Sequence, residues 1–264
     1  MTEATRRRWL VPGATLVLLV LGTAAVTLAL ALALTDGDAA PPAPAPPSTS
    51  AAAPAPAVPE DADGASATGV VDTPVSELAD PDWTAATARS SGVPPRALAA
   101  YAGASLAAGE AHPGCGLGWN TLAAIGQVES EHGTLGGTAI DTSGVTGTPI
   151  VGVPLDGDAV AEVRDTDGGR LDGDPRWDRA VGPMQFIPAS WEAYGTDGNA
   201  DGVVDVHNID DAALAAAEHL CATGGDLTLR EGWIAAISAY NVGADYNRRV
   251  AEVATTYAET SAGP

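Results

Sequence analysis

Hydrophobic and polar positions divide the chain into three stretches. From Leu10 to Leu34 nothing is charged, and the 25 residues are mostly Leu, Val and Ala. A helix needs ~20 such residues to cross a hydrocarbon core. From Thr35 to Pro81 the apolar period disappears, and Pro41, Pro42, Pro44, Pro46, Pro47, Pro54, Pro56 and Pro59 alternate with Ala and Ser. That composition is a solvated, disordered linker, reaching roughly 40 Å as a flexible coil and about 140 Å as polyproline II. From 82 to 258 a helical period returns, and 259–264 remain as a tail.

Within that domain, Pro94-Pro95 opens a helix through Leu98, Tyr101 and Leu106, with Pro in the first turn. Asn120 can cap a second helix, which runs through Glu131 and stops at Gly133. Pro188 to Tyr194 reads as a short helix ended by Gly195. Asp210 can cap a helix to Cys221, followed by Glu231–Tyr240 and Ala244–Tyr257. Between Thr134 and Arg179 the period changes. Ile150–Val153 and Ala159–Val163 read as short strands, and Asp165–Gly169 as a turn. The pattern predicts a mainly α domain with a small β-hairpin insertion, preceded by a transmembrane helix and the linker.

Charge refines this picture. Arg6-Arg7-Arg8 precede the apolar run, which keeps residues 1–9 cytoplasmic and sends the rest outside. Cleavage after Ala31-Leu32-Ala33 is the competing reading, but the run exceeds the 7–15 residues of a signal-peptide core. No Cys follows it, so a lipoprotein anchor is excluded. The expectation is a single-pass protein of the cell membrane with an extracytoplasmic domain. Twelve basic residues, all Arg, face 34 acidic ones, for a net charge of −22. Such a chain has no electrostatic attraction to nucleic acid. Cys115 and Cys221 lack zinc-site spacing. In an oxidising compartment an isolated pair is usually one bridge.

Four segments carry candidate chemistry. Leu122, Ile125, Gly126 and Glu129 share one helical face. Glu129 therefore ends an apolar stripe near a helix C-terminus, where burial and the helix dipole both favour the protonated form. A general acid for glycosidic cleavage needs that state. The same pattern also fits a structural carboxylate. Gln185, between apolar neighbours after Gly182-Pro183, can offer a donor and an acceptor to an amide-bearing ligand or be satisfied by backbone. Asp197-Gly198-Asn199-Ala200-Asp201-Gly202 matches the start of a Ca²⁺-binding loop. Asp197, Asn199, Asp201, the Val203 carbonyl, Asp205 and Asn208 are its candidate ligands. Asn208 stands where the pattern has a bidentate Glu. Tyr240 and Asn241 end an apolar helix and can line a sugar cleft, though Tyr240 also continues the core stripe of Trp233 and Ile237. His112, His132, His207 and His219 have no metal or triad spacing and default to surface or capping roles.

Together, Ile125–Gly133, Val181–Pro188, the acidic loop and Ala239-Tyr240-Asn241 resemble the catalytic domain of lytic murein transglycosylases, of the membrane-bound B type in its actinobacterial form. The resemblance covers about Val93 to Tyr257. It implies a lysozyme-like helical fold acting on the glycan strands of peptidoglycan. It also implies Glu129 as the single catalytic acid/base, with no cofactor for catalysis. The product would be a 1,6-anhydromuramoyl end. Gln185, Tyr240 and Asn241 carry over as cleft residues, and the acidic loop as a structural Ca²⁺ site. Two alternatives stay open. One is a hydrolytic muramidase taking a second carboxylate from Asp141, Asp172 or Asp174. The other is a non-catalytic, Ca²⁺-stabilised wall-binding module.

Overall fold

The structure, a computed structural model, describes residues 72–158 and 160–261. The predicted membrane anchor and nearly all of the linker lie outside the described residues. Among the described residues, no helix is long and apolar enough to cross a membrane.

The described chain is mainly helical: α1 (Pro81–Ser91), α2 (Pro95–Ala111), α3 (Trp119–Ser130), α4 (Pro188–Tyr194), α5 (Ile209–Gly224), α6 (Arg230–Tyr240) and α7 (Ala244–Ser261). The packed unit begins earlier than composition suggests. Val75, in a short 3-10 turn at Val75–Glu77, is fully buried against α2. Helix α1 was not predicted, although its signals are plain in retrospect. Asp80 caps it by accepting from the Trp83 N–H at 2.8 Å, Pro81 opens it, and Gly92 closes it with φ 77°.

Helix α5 forms the centre. Ile209, Ala212, Ala213, Ala215, Ala216, Ala217 and Leu220 have no exposed surface. The small alanines let α2 and α6 approach it from two sides, while α3 packs on α2 and α7. Trp119, Tyr101, Leu98, Leu122, Ile125, Met184 and Ile237 fill the spaces between.

Two predicted caps change roles. Asn120 does not cap α3. It is buried inside the first turn and donates Nδ2 to the Ala254 carbonyl of α7 at 3.1 Å. Asp210 does not cap α5. Asn208 does, by accepting from the Asp210 N–H at 2.9 Å. Asp210 is thereby free to take both guanidinium nitrogens of Arg96 at 2.7 Å and the Ser76 hydroxyl at 3.0 Å.

The predicted hairpin is the main correction. The described residues form no regular strand, only isolated bridges. Val151 pairs with Val181 rather than with the 159–163 segment, whereas Asp156 pairs with Glu162 and Arg164 with Trp177. The two segments find other backbone partners: the Gly152 N–H donates to the Ala180 carbonyl, the Leu155 N–H to the Asp178 carbonyl and the Val163 N–H to the Leu155 carbonyl. The turn at Asp165–Gly169 is kept, with Asp165 accepting from the N–H groups of Asp167, Gly168 and Gly169.

Candidate active site

Helix α3 delivers Glu129, partly buried, to a wall formed by α7, α6 and the 181–186 turn. Tyr246 of α7 donates its hydroxyl to Glu129 Oε1 at 2.6 Å. Burial pushes the Glu129 carboxyl up to about 7, although the Tyr246 hydrogen bond and the nearby Arg249 charge pull it down. Desolvation thus outweighs both partners, and the group is balanced between acid and base near neutral pH.

Tyr240 belongs to the same assembly. It is close enough to Glu129 that the carboxylate charge adds to burial in raising its phenol well above the ordinary range. Its hydroxyl donates to the Met184 carbonyl at 2.8 Å, and its ring meets Phe186 edge-on and stacks on His219. The turn it grips is closed by paired bonds between Val181 and Phe186. Gly182, with φ 80°, is required there, because an added Cβ would lie 2.0 Å from the Val206 carbonyl oxygen. Ser130, the residue after Glu129, donates to the Pro183 carbonyl. The end of α3, the turn and α6 are thereby joined.

Gln185 is partly buried with φ 51° and turns its Nε2 back to the Gly182 carbonyl at 2.9 Å. Asn241 follows Tyr240 and is exposed. The structure therefore brings Glu129 and Tyr240 together, while Gln185 follows Met184, whose carbonyl Tyr240 bonds, and Asn241 follows Tyr240 itself. Tyr246 and Arg249 were missed. The stripe Tyr246, Val250, Val253 and Tyr257 on α7 was the available signal, since these positions share one helical face.

The three aspartates considered as second carboxylates are engaged in their own turns. Asp141 accepts from the Ser143 hydroxyl at 2.6 Å, Asp172 from the Arg179 N–H at 2.6 Å, and Asp174 from the Arg179 guanidinium at 2.9 Å. Hydrogen bonds hold Asp141 and Asp174 below the usual carboxylate range.

Two of the four histidines depart from the expected surface or capping roles. His132 and His219 are buried, the latter stacked between Tyr194 and Tyr240. His112 is partly exposed and pairs with Glu218 at 2.6 Å. Glu131 and His132 both take left-handed backbone, φ 53° and 59°, before Gly133, at a cost on the order of 1–3 kcal/mol each.

In the acidic loop Asp197 accepts from the N–H groups of Asp201 and Gly202, and Asn199 donates to Asp201 at 2.8 Å. Asn208 does not face this loop: its oxygen caps α5, and its Nδ2 donates to the Ser143 carbonyl. The acid that closes the loop is Asp211, fully buried, which accepts from the N–H groups of Gly198, Asn199 and Asp205. Burial pushes its carboxyl up to about 6, helped by the charge of Asp197 despite those three bonds. The loop offers carboxylate, amide and carbonyl oxygens around one turn, the donor chemistry of a hard cation. Among the described residues, the acidic group that gathers its oxygens within 4.8 Å is not this loop but Asp165, Asp167 and Asp178 in the insertion.

No curated protein and no solved structure matches the chain. Residues 164–255 match the family model of the transglycosylase SLT domain. The matched stretch holds the 181–186 turn, the acidic loop, α4 to α6 and most of α7, with Tyr240 and Tyr246. It does not include α3 and Glu129. The match supports a lytic transglycosylase family for this chain, and with it an enzyme acting on peptidoglycan.

Proposed function

We propose that the protein is a peptidoglycan lytic transglycosylase cleaving the MurNAc–GlcNAc β-1,4 bond in cell-wall remodelling, with Glu129 as its only catalytic carboxyl. The observation that carries this is the Glu129 environment. A carboxyl held near neutrality has one hydroxyl donor, and the three candidate second carboxylates make their hydrogen bonds within the insertion, not with Glu129. A retaining or inverting hydrolase needs two carboxyl groups flanking the bond.

In this mechanism protonated Glu129 gives its proton to the glycosidic oxygen as the C1–O bond breaks. The resulting carboxylate then takes the proton of the muramic 6-hydroxyl, whose oxygen bonds to C1. One ring closes, one glycan end leaves, no water is consumed, and Glu129 ends protonated. Tyr246 stabilises the carboxylate in the interval between the two transfers. Tyr240, Gln185 and Asn241 line the cleft. The apolar run at 10–34 would hold this domain on the outer side of the cell membrane. Digestion of sacculi followed by mass spectrometry tests the reading, with 1,6-anhydromuramoyl ends expected. Reducing ends would make the enzyme a muramidase, and uncut sacculi a wall-binding module.

The acidic loop is proposed as a structural Ca²⁺ site using Asp197, Asn199, Asp201, the Val203 carbonyl and Asp205, with Asp211 as its buried acid. The ion would neutralise the Asp197–Asp211 repulsion and take no part in the chemistry. Binding to the folded state alone adds about 2.7 kcal/mol at a hundredfold excess over Kd. Tm should therefore rise with Ca²⁺, and Asp201→Ala should abolish the rise. Superimposable melting curves in Ca²⁺ and chelator would end the proposal.

A further inference from the structure

Behind Glu129 lies a buried polar chain that the chemistry above does not use. His132 is 3 % exposed. Its Nδ1 lies 3.3 Å from the Tyr101 hydroxyl of α2, and its Nε2 lies 3.0 Å from the Tyr257 hydroxyl of α7. Tyr257 donates in turn to Gln127 Oε1 at 3.3 Å. The direction of the chain follows from its last link. Tyr257 has one proton and gives it to Gln127, an acceptor only at that atom, so it must accept from His132 Nε2–H. Nδ1 then carries the lone pair and accepts from Tyr101. A neutral imidazole satisfies both contacts, and burial pulls the ring down to about 4, well below its ordinary range. Tyr101 fits there because position 126 is Gly: an added Cβ would lie 2.0 Å from its hydroxyl.

Tyr257 and Tyr246 stand on one stripe of α7, about 20° apart after eleven residues at 3.6 per turn. One end of this stripe bonds His132 and Gln127, and the other bonds Glu129. The backbone between these partners on α3 is fixed by the left-handed turn, where the His132 N–H closes on the Gly126 carbonyl at 2.9 Å.

We propose that neutral His132, as its Nε2–H tautomer, is a positioning residue that fixes α7 against the end of α3 and so sets how Tyr246 meets Glu129. The proposal rests on Glu129 being the acid/base. The groups facing His132 are Tyr101 and Tyr257. Those acting on Glu129 are Tyr246 and Arg249 from α7, with Tyr240 from α6 within reach of its charge.

The test uses the full-length protein. Imidazole ¹⁵N shifts should show His132 protonated at Nε2 alone between pH 6 and 8; the opposite tautomer or an imidazolium overturns the proposal. The ¹³C titration of the Glu129 carboxyl is then followed in the parent, Tyr246→Phe, His132→Phe and Tyr257→Phe. Tyr246→Phe removes a bond that favours the ionised form, so the midpoint rises, by about one unit. His132→Phe and Tyr257→Phe should raise it in the same direction by roughly half as much. On peptidoglycan, kcat should fall about tenfold with KM unchanged. Tyr257→Phe deletes one oxygen and keeps the test alive if His132→Phe does not fold. Folded variants with the parent's midpoint overturn the proposal. If the midpoints move but the parent cuts no glycan, the functional reading fails and the positioning role stands.

Discussion

Replacing Glu129 by Gln is expected to reduce glycan cleavage by roughly 10²–10⁴-fold, the loss typical of a missing acid–base group, while stabilising the fold above neutral pH. The second effect follows from the same burial. The carboxyl ionises near its ordinary 4.5 in the unfolded chain and near 7 in the folded one. Below pH 4.5 both states are protonated and Glu129 has no effect on stability. Between 4.5 and 7 the unfolded chain sheds its proton first, so stability declines as pH rises. Above 7 the folded state carries the whole penalty, at most about 3 kcal/mol, less for the solvent Glu129 retains. Gln has no such penalty. The variant should therefore melt with the parent at pH 4 and several degrees above it at pH 8. Near-normal turnover would remove Glu129 from the chemistry, and equal melting at pH 8 would remove the burial argument.

Substituting both Cys115 and Cys221 by Ala should lower stability by about 4–5 kcal/mol as an upper figure from loop-closure entropy. The cysteines are joined with Cα atoms 5.4 Å apart and 106 positions of separation. The bridge ties the segment before α3 to the last turns of α5. It does not act alone, since the Cys115 carbonyl accepts from the Leu227 N–H at 2.7 Å and the His112–Glu218 pair lies on the same two elements. Part of the seam should thus survive in the double variant, which is expected to fold and melt lower. An unchanged Tm, or two alkylated thiols in the unreduced native protein, would show the bridge to be absent.

Much of the helical framework was legible because its signals are local. Pro95, Pro188 and Gly195 mark ends that the structure keeps. Leu214, Ala217 and Cys221, at i, i+3 and i+7, are buried on one helical face. What failed depends on partners distant in sequence. Asn120 and Asp210 look like caps, but their side chains are claimed by Ala254 and Arg96. The insertion alternates like a hairpin, yet its 150–153 stretch bonds Ala180 and pairs with Val181 rather than with the 159–163 stretch beside it in sequence. At the site, a stripe on one helix marks Glu129 as a candidate, but that stripe fits a structural carboxylate equally and the catalytic role comes from the family resemblance. The stripe on α7 marks Tyr246 only as facing inward; its role beside Glu129 exists only once α7 lies across α3. Asp211 was overlooked for a similar reason: the loop folds back on the helix that follows it, beyond the window of a local pattern.

The entry of the chain into the domain has a mechanical consequence. The Val75 N–H bonds the Gly198 carbonyl at 2.8 Å, and the Ser76 hydroxyl bonds Asp210, the partner of Arg96. A pull on the chain ahead of residue 72 is therefore delivered first to the acidic loop and the start of α5. Peeling Val75 from the core would break two hydrogen bonds, of 2.8 and 3.0 Å, one to the loop and one to α5, so tension on the chain is borne first by the segment between the 181–186 turn and the central helix.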